Sequence, residues 1–195
     1  MHLEEALSSK MDIKAFIFDM DGLLFDSERI VQRSWEMAGD ELGIPHMGDV
    51  IYHTLGMNRT GRNEYFRKYI REDFPFEEFG RLTRDNFWRN VDKEGLPLKK
   101  GVKELLAYGK AQGYKMAVAT SSSREYAMGN LIRAGIDPYF DSVICGDMVK
   151  KAKPDPEIYQ KASESLGIPP EYCMAFEDAP GGILSAHQAG MKVIM

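Results

Sequence analysis

The chain has few of the residues that cross-link small proteins. Only two cysteines, Cys145 and Cys173, occur among its 195 residues, and neither has a C-x-x-C neighbour. Each lies in or beside an apolar run, so we expect both to pack as small core hydrophobes. The four histidines are scattered, which disfavours a zinc or redox site. A chain of this length forms a sufficient core without such cross-links.

Long apolar runs and clustered positive charge are also missing. No stretch approaches the ~20 apolar residues of a membrane span, and the polar start MHLEEALSSK lacks the apolar segment of a secretory signal. The formal charge is −5, and 25 basic residues are mixed with 30 acidic ones, whereas nucleic-acid binders carry a clustered basic face. We therefore expect a cytoplasmic protein that binds a small molecule and neither nucleic acid nor a membrane.

Short apolar segments alternate with helix-patterned segments over most of the chain. The segments with strand character are residues 15–18, 116–119, 143–145, 173–176 and 193–195. Apolar residues at three- and four-residue spacing predict helices over residues 102–112, 126–134, 157–166 and 182–189. This alternation predicts an α/β fold with a doubly wound, Rossmann-like parallel sheet.

One long interruption separates the first strand from the second. About 90 residues lie between them, which is too many for one crossover, and they contain no convincing strand. Apolar stripes at helical spacing predict an inserted all-helical cap over residues 26–92, with the Rossmann-like core formed by residues 1–25 and 93–195. The aromatic residues of these stripes favour packing, and a substrate pocket is the alternative interpretation.

Two acidic residues follow the first strand in the segment KAFIFDMDGLLFDSE. Asp19 comes directly after the strand, and Asp21 follows two residues later. A strand that ends in two carboxylates places them at the carboxyl edge of the sheet, where open parallel sheets bind ligands. An isolated D-x-D-G is equally consistent with a solvated turn. A calcium loop fails, because Leu24 and Ile30 stand where such a loop requires Gly and Glu.

Polar residues also follow later strands. The segment AVATSSSR offers Thr120, Ser121 and Ser122 as hydroxyl and amide donors before a helix, which suits a phosphate. In KKAKPDPEIY, Pro154 forces Lys153 out of helical geometry into an extended conformation just before a helix begins. Taken singly, these segments are also consistent with an ordinary N-cap cluster and a solvated lysine.

A second acidic pair completes the pattern. Glu177 and Asp178 directly follow the strand in CMAFEDAPGGILSA. Four carboxylates beside one lysine would repel a phosphate dianion, and a hard divalent cation with oxygen ligands, Mg²⁺, removes this conflict. Phosphoryl transfer requires mainly in-line positioning and charge neutralisation, which these residue types supply. Together the segments predict magnesium-assisted chemistry on a phosphate ester.

These segments together resemble the haloacid dehalogenase superfamily, in its phosphatase branch with a helical cap similar to β-phosphoglucomutase and sugar phosphatases. DMDGLLFDS, the strand that ends at Thr120, KPDPEIY and FEDAPGG occur in the family's order, and the resemblance covers essentially the whole chain. It implies a Mg²⁺-dependent phosphoric monoester hydrolase. Such an enzyme would act on a small phosphorylated metabolite, such as a sugar phosphate, through an aspartyl-phosphate intermediate.

The resemblance implies a role for each matched residue of the core. Asp19 would be the nucleophile and a Mg²⁺ ligand. Asp21 would be the general acid and base, and its backbone carbonyl would also bind the metal. Lys153 would neutralise the phosphoryl group. Asp178 would ligate Mg²⁺, with Glu177 as a further ligand or an orienting partner.

Substrate binding would involve the hydroxyl cluster and the cap. Thr120 and the amides of Ser121 and Ser122 would hold the transferring phosphoryl group, and the placement of Thr120 could shift by one, to Ser121. In the insert, LGMNRTG resembles a cap segment whose arginine contacts substrate. This makes Arg59 a candidate substrate-binding residue.

Two departures from the family pattern affect these expectations. The mutases carry a cap histidine at a position aligned with Val31, and no histidine occurs between His2 and His46. Hydrolysis is therefore favoured over the alternative, a β-phosphoglucomutase-like sugar phosphomutase. The pattern fixes neither the oligomeric state nor the particular phosphate ester. The chain also stops at Met195, where family members usually continue with a short strand and a helix, so either the sequence is truncated or the tail is not retained.

Overall fold

A computed structural model describes residues 12–54 and 59–195, apart from the side chains of residues 59 and 60. Five strands in this part of the chain form one parallel sheet. They are β1 (Ala15–Phe18), β2 (Lys115–Ala119), β3 (Ser142–Ile144), β4 (Cys173–Phe176) and β5 (Lys192–Ile194). Their order in the sheet is β3-β2-β1-β4-β5. Each strand lies within one residue of its predicted position, and the predicted fold class is confirmed.

Eight α-helices occur in the same described ranges. They are α1 (Ser27–Glu41), α2 (Met47–Thr54), α3 (Arg59–Tyr69), α4 (Phe76–Glu94), α5 (Val102–Ala111), α6 (Arg124–Ala134), α7 (Glu157–Leu166) and α8 (Pro180–Gln188). The predicted helix over residues 157–166 matches α7. Helices α6 and α8 each begin two residues earlier than predicted. Ser123 caps α6 by accepting a bond from the Tyr126 amide, and Pro180 occupies the first turn of α8, where its missing N–H costs nothing.

The sheet carries helices on both faces, and its central strands are apolar apart from Lys115 at the start of β2. All four residues of β1 are buried, which is typical of a parallel strand covered on each side. One face packs small side chains such as Ala117 and Ala175 against α7 and α8. On the other face Gly109 of α5 lies against Phe16 and Met116, where a Cβ atom would come within 2.8 Å of the Met116 sulfur.

The backbone ladder continues one residue beyond three of the strands. The amides of Asp19, Thr120 and Glu177 donate to carbonyls of neighbouring strands over 2.9 to 3.0 Å. These three residues therefore stand at the same carboxyl edge of the sheet. Their backbone positions are fixed by the same hydrogen bonds that hold the strands together.

The chain divides into two compact units. One is the helical unit, Ser27–Leu96, and the other, which contains the sheet, is formed by the segment up to Asp26 together with Pro97–Met195. The predicted boundary after residue 92 falls inside α4, which continues to Glu94 and ends where Gly95 adopts a φ of 73°. A glycine with positive φ is a common helix terminator.

The helical unit is built on aromatic packing. Trp35 contacts Phe66 and Phe79 with ring centroids 5.6 and 5.5 Å apart, both edge to face. All three side chains are buried in one apolar cluster, as the packing interpretation of the stripes predicts. Helix α2, with Met47 and Ile51 buried, was not predicted, because two turns are too short to give a convincing period.

Two expectations about the whole chain concern its cysteines and its helices. Cys145 and Cys173 are both buried and unbridged, as predicted. Burial raises the pKa of the Cys173 thiol to about 11, so this residue behaves as a small hydrophobe. Across residues 12–54 and 59–195, every helix is too short or too polar to span a bilayer.

Candidate active site

The ammonium group of a largely buried lysine contacts residues at the carboxyl ends of three strands. The ammonium nitrogen of Lys153 lies 2.6 Å from Oδ1 of Asp19 and 2.5 Å from Oε1 of Glu177. It also donates to the carbonyl oxygen of Ala119 over 3.0 Å. The side chains of Lys153 and Asp19 are only 10% and 11% exposed. A charged lysine at such a position is stabilised only if its partners are fixed, and all three belong to the sheet edge.

The loop before α7 fixes the position of Lys153. Its peptide bond to Pro154 is cis, which the sequence did not predict. Two further bonds hold the next residues: Ser185 Oγ donates to the Asp155 carbonyl over 2.6 Å, and the Glu157 amide donates to Asp155 Oδ1 over 3.0 Å. The loop is thus tied both to α8 and to the first turn of α7.

Glu177 is almost completely enclosed by hydrogen-bond donors. Besides Lys153, the hydroxyl of Tyr159 donates to Oε1 over 2.7 Å. The amides of Asp178 and Ala179 donate to Oε2 over 3.2 and 3.4 Å. Glu177 is 1% exposed. Its two oxygens already accept four bonds, so the carboxylate is held in a single orientation.

Two glycines leave room for the carboxylates of the second acidic pair. A Cβ atom at Gly182 would overlap the carboxylate of Glu177, and one at Gly22 would overlap that of Asp178. Gly22 also has a φ of 86°, a conformation that side chains with a Cβ rarely adopt. Both positions therefore require glycine for a local steric reason.

The ionisation of Asp19 is opposed by its surroundings. The pKa of Asp19 is raised to about 7, mainly by burial and also by the negative charges of Glu177 and Asp178. Lys153 lowers this pKa but does not offset the rise. A nucleophilic carboxylate must be ionised at neutral pH. The site therefore benefits from a further positive charge close to Asp19.

Three carboxylates stand close enough to share a cation. One oxygen each from Asp19, Glu177 and Asp178 lies within 4.8 Å of the others. Asp19 and Glu177 are buried, whereas Asp178 is exposed. Carboxylate oxygens are the hard ligands that Mg²⁺ prefers, so this donor set fits the predicted metal.

Asp21 is held by two hydroxyl groups. Ser122 Oγ donates to Oδ2 over 2.7 Å, and the Tyr126 hydroxyl donates to Oδ1 over 3.2 Å. Burial and the neighbouring charge of Asp21 raise the pKa of Tyr126, so the phenol stays protonated and remains a donor. The side chain of Asp21 is partly exposed and oriented from two sides.

The predicted hydroxyl cluster divides into three different environments. Thr120 is 1% exposed, and its Oγ1 accepts the amide of Ser122 over 3.1 Å. Ser121 is exposed, and Gly146 packs against its carbonyl so closely that a Cβ there would overlap it. Ser122 contacts Asp21 with its side chain and Thr120 with its amide. The structure thus places the Ser122 hydroxyl against Asp21, the predicted general acid and base.

The substrate-binding role of Arg59 stays a prediction. Residues 55–58 of its LGMNRTG segment lie outside the described part of the chain, and the side chain of Arg59 does too.

Sequence reasoning missed Tyr126 and Tyr159. Tyr159 lies in the quoted KPDPEIY segment, yet at helical spacing it has the pattern of a core aromatic, and it is indeed 0% exposed. Tyr126 is 105 residues from Asp21 in the chain, so no local signal connects them. Gly182, after the second acidic pair, and Gly22, after the first, were the available signs of crowded carboxylates.

The chain belongs to the haloacid dehalogenase-like hydrolase family, whose profile matches residues 13–190. This confirms the family that its motifs resemble. It is 32% identical over 182 residues to the phosphorylated carbohydrates phosphatase of Thermotoga maritima, a match that covers 93% of this chain and 84% of that protein. The family and this relative support its classification as a phosphoric monoester hydrolase, as the sequence predicts.

Solved structures share the fold. A HAD family hydrolase of Deinococcus radiodurans R1, crystallised with bound phosphate and sodium, superposes with a TM-score of 0.81 at 25% identity, covering 94% of this chain and 80% of that chain. A β-phosphoglucomutase of Clostridium difficile superposes with a TM-score of 0.65 at 25% identity, covering 93% and 83%. The fold therefore occurs in a hydrolase and in a mutase, so the choice between these reactions depends on the site.

Proposed function

We propose that this protein is a Mg²⁺-dependent phosphatase that hydrolyses a small phosphorylated metabolite, such as a sugar phosphate, through an aspartyl-phosphate on Asp19. The observation that carries the proposal is the buried contact of 2.6 Å between Lys153 and Asp19 at the carboxyl edge of the sheet. The substrate class is supported by the relative named for phosphorylated carbohydrates. Fold alone would not support this proposal, because many functions share such sheets.

Asp19 and Asp178 would hold the Mg²⁺, with the backbone carbonyl of Asp21 as a further ligand. Glu177 belongs to the same carboxylate cluster, but its oxygens already accept four bonds, which favours an orienting role through Lys153. The ion supplies positive charge that offsets the carboxylates and the substrate phosphate when it is bound.

The first step transfers the phosphoryl group to the protein. A carboxylate oxygen of Asp19 forms a bond to phosphorus while the bond from phosphorus to the leaving oxygen breaks. Asp21 gives its proton to that oxygen, so the product leaves as a neutral alcohol. Lys153 offsets the negative charge between Asp19 and the phosphoryl group, and the Thr120 hydroxyl and Ser121 amide hold the phosphoryl oxygens.

The second step restores the enzyme. Asp21, now a carboxylate, takes a proton from water while the water oxygen attacks phosphorus. The bond between phosphorus and Asp19 breaks, inorganic phosphate leaves, and Asp21 is protonated again for the next cycle. Ser122 and Tyr126 orient the Asp21 carboxyl group in both steps, since they donate to different oxygens of it.

We further propose that the helical unit acts as the cap that selects the substrate, with Arg59 as one contact. The cytoplasmic location and the lack of nucleic-acid partners remain predictions from composition.

The proposal is tested by phosphate release from a panel of sugar phosphates with Mg²⁺. Asp19→Asn should lower turnover by more than about 1,000-fold, because an amide of nearly the same shape is no nucleophile. Asp12→Asn is the matched control, since Asp12 is an exposed carboxylate on the same approach to β1. Activity of Asp19→Asn within about tenfold of wild type, less than about 1.4 kcal/mol in barrier, would remove Asp19 from this role.

The same assay separates hydrolysis from the mutase alternative, which the Clostridium difficile neighbour keeps open. A phosphatase releases inorganic phosphate in proportion to substrate consumed. Accumulation of an isomeric sugar phosphate without phosphate release would replace the proposed reaction with a phosphomutase.

A further inference from the structure

A cavity of about 410 Å³ lies among α1, α3 and α4 of the helical unit. All of the described residues that line it belong to Ser27–Leu96, and none of them belongs to the catalytic residues proposed above. Cavities of about 300–1,000 Å³ are typical of small-molecule sites. The volume is therefore sufficient for a compact organic ligand.

Aromatic rings form the floor of this cavity. Trp35, Phe66 and Phe79 are buried beneath it, and Phe76 stands beside them partly exposed. The rings of Phe66 and Phe79 meet edge to face at 5.9 Å. Such a floor offers flat apolar surface to a planar or aliphatic group.

The remaining lining is polar and positively charged. Arg62 lies over the Trp35 ring, with its guanidinium carbon 5.7 Å from the ring centroid. Arg84 and Asn63 also line the cavity, and none of its described lining residues is acidic. Two guanidinium groups present planar sets of N–H donors, which match carboxylate and phosphate oxygens.

One buried hydroxyl in the lining lacks a partner. Oγ1 of Thr83 is inaccessible to solvent and makes no hydrogen bond to any described residue. Buried polar atoms are nearly always paired, and each exception requires an explanation. This oxygen lies behind the cavity surface, so its unmet bond marks imperfect packing of α4 beside the cavity.

A glycine keeps one side of the cavity open. At Gly80 an added Cβ atom would meet only Nη1 of Arg84, at 3.7 Å, which is ordinary contact. The position lies inside α4, where glycine weakens a helix relative to alanine by ~1 kcal/mol. Backbone conformation does not require glycine there, because its φ is not in the positive region.

We propose that this cavity of the helical unit binds a small organic anion with one carboxylate, phosphonate or phosphate group on a planar apolar body. The apolar body lies on the aromatic floor, and Arg62 and Arg84 bind the anionic group. Packing of the helices accounts for the buried rings, but it does not account for two arginines and an asparagine grouped around an open volume whose described lining holds no acidic partner.

The test is a binding titration of the full chain with phenylphosphonate, which has no hydrolysable ester bond. Trp35 and Trp88 are the two tryptophans of the chain, and Trp88 is 47% exposed. Trp88→Phe therefore leaves Trp35 in the cavity floor as the only tryptophan of the chain, which can be excited selectively over tyrosine. We expect a saturable change with a Kd of about 1 mM or tighter, and binding of inorganic phosphate or toluene at least about tenfold weaker.

Matched variants assign the signal to the cavity. Arg84→Gln should weaken phenylphosphonate at least about tenfold, whereas Arg81→Gln should not, because Arg81 pairs with Glu78 and Asp85 on the exposed side of the same helix. Gly80→Leu should block binding and Gly80→Ala should retain it. Thr83→Val should leave binding unchanged within about twofold and raise the melting temperature of the free protein, because the buried hydroxyl has no hydrogen-bond partner.

Two results would overturn the proposal. One is the absence of a saturable Trp35 signal up to about ten times the expected Kd. The other is a signal that survives both Arg84→Gln and Gly80→Leu, because binding outside the cavity would be unaffected by these changes. Melting curves of each variant show whether a lost signal reflects an unfolded helical unit, and a folded Gly80→Leu protein that still binds is decisive against it.

Discussion

The two adjacent glycines of α8 provide a sharp test of the carboxylate geometry. Gly182→Ala places a Cβ atom where the Glu177 carboxylate lies, so that carboxylate must leave its four donors. Gly181→Ala adds the same atom one residue earlier in the same helix turn, where no described atom lies within 4 Å. The two variants therefore differ mainly in whether the added methyl group collides with the Glu177 carboxylate.

The expected magnitude follows from the contacts that are lost. Overpacking a dense site costs about 1–3 kcal/mol, and each hydrogen bond to a charged group contributes about 1.5–3 kcal/mol. We expect Gly182→Ala to lower the free energy of unfolding by about 3 kcal/mol or more, a fall of ~6–12 °C in melting temperature for a chain of this size. Gly181→Ala should be neutral or stabilising by up to ~1 kcal/mol, because alanine favours helix.

Thermal unfolding followed by circular dichroism measures both variants, and phosphate release measures their turnover. Gly182→Ala should also lose at least about tenfold in kcat, since Lys153 loses the partner that holds it beside Asp19. If Gly182→Ala melts within ~1 °C of Gly181→Ala and keeps full activity, then Glu177 does not occupy the enclosed position described above.

Three further changes separate the roles of individual groups. Tyr126→Phe should lower kcat on sugar phosphates about 2–10-fold and leave the initial burst of nitrophenolate from p-nitrophenyl phosphate nearly unchanged, because nitrophenolate leaves without an acid, whereas the later hydrolysis step depends on Asp21 with either ester. Exposed Tyr108→Phe is the control, and equal losses in the first step of both esters would contradict the orienting role. Asp178→Asn should raise the Mg²⁺ concentration required for half-maximal activity at least about tenfold. Glu177→Gln should mainly lower the melting temperature. The reverse pattern would make Glu177 the Mg²⁺ ligand and Asp178 the orienting residue. Burial tends to raise the pKa of Asp141, but bonds from the Met116 amide and Lys115 outweigh it and hold that pKa below its usual range. The stabilisation that ionised Asp141 provides is thus present above the unfolded-state pKa of about 3.9 and is lost as the pH falls through the folded-state value. The difference in melting temperature between wild type and Asp141→Asn should therefore shrink below pH ~4. A difference that stays constant with pH would refute this assignment.

The sheet was predictable because its signal is local. Strands β1 and β4 match their predicted bounds, since continuous apolar runs between polar residues leave little freedom in placing a buried parallel strand. The acidic and basic residues at the strand ends could be placed at one edge for the same reason. Once the strand ends are known, parallel topology brings Asp19 and Glu177 to one edge, and Lys153 reaches both of them from the loop before α7.

The contacts that orient the site were not predictable, because they depend on long-range packing. Tyr126 reaches Asp21 only through the pairing of β1 with β2, and its position within α6 has no distinctive sequence signal. Helix α2 was missed for a different reason. Its two turns are held by buried residues such as Met47 and Val50, and a stripe of this length is indistinguishable from a loop that buries a few apolar side chains.

Glu177 and Asp178 are adjacent carboxylates that both follow β4, so the sequence does not distinguish them, yet the fold gives them opposite surroundings. Successive residues of an extended segment point to opposite sides, so if the first is directed into the sheet edge the second is directed away from it. Glu177 accordingly meets Lys153 and Tyr159 and is 1% exposed, whereas Asp178 is exposed and packs against Gly22. A Mg²⁺ ion that keeps several of its waters requires a ligand open to solvent. Of this pair only Asp178 meets that requirement, and the enclosed Glu177 is suited instead to hold the lysine that contacts Asp19.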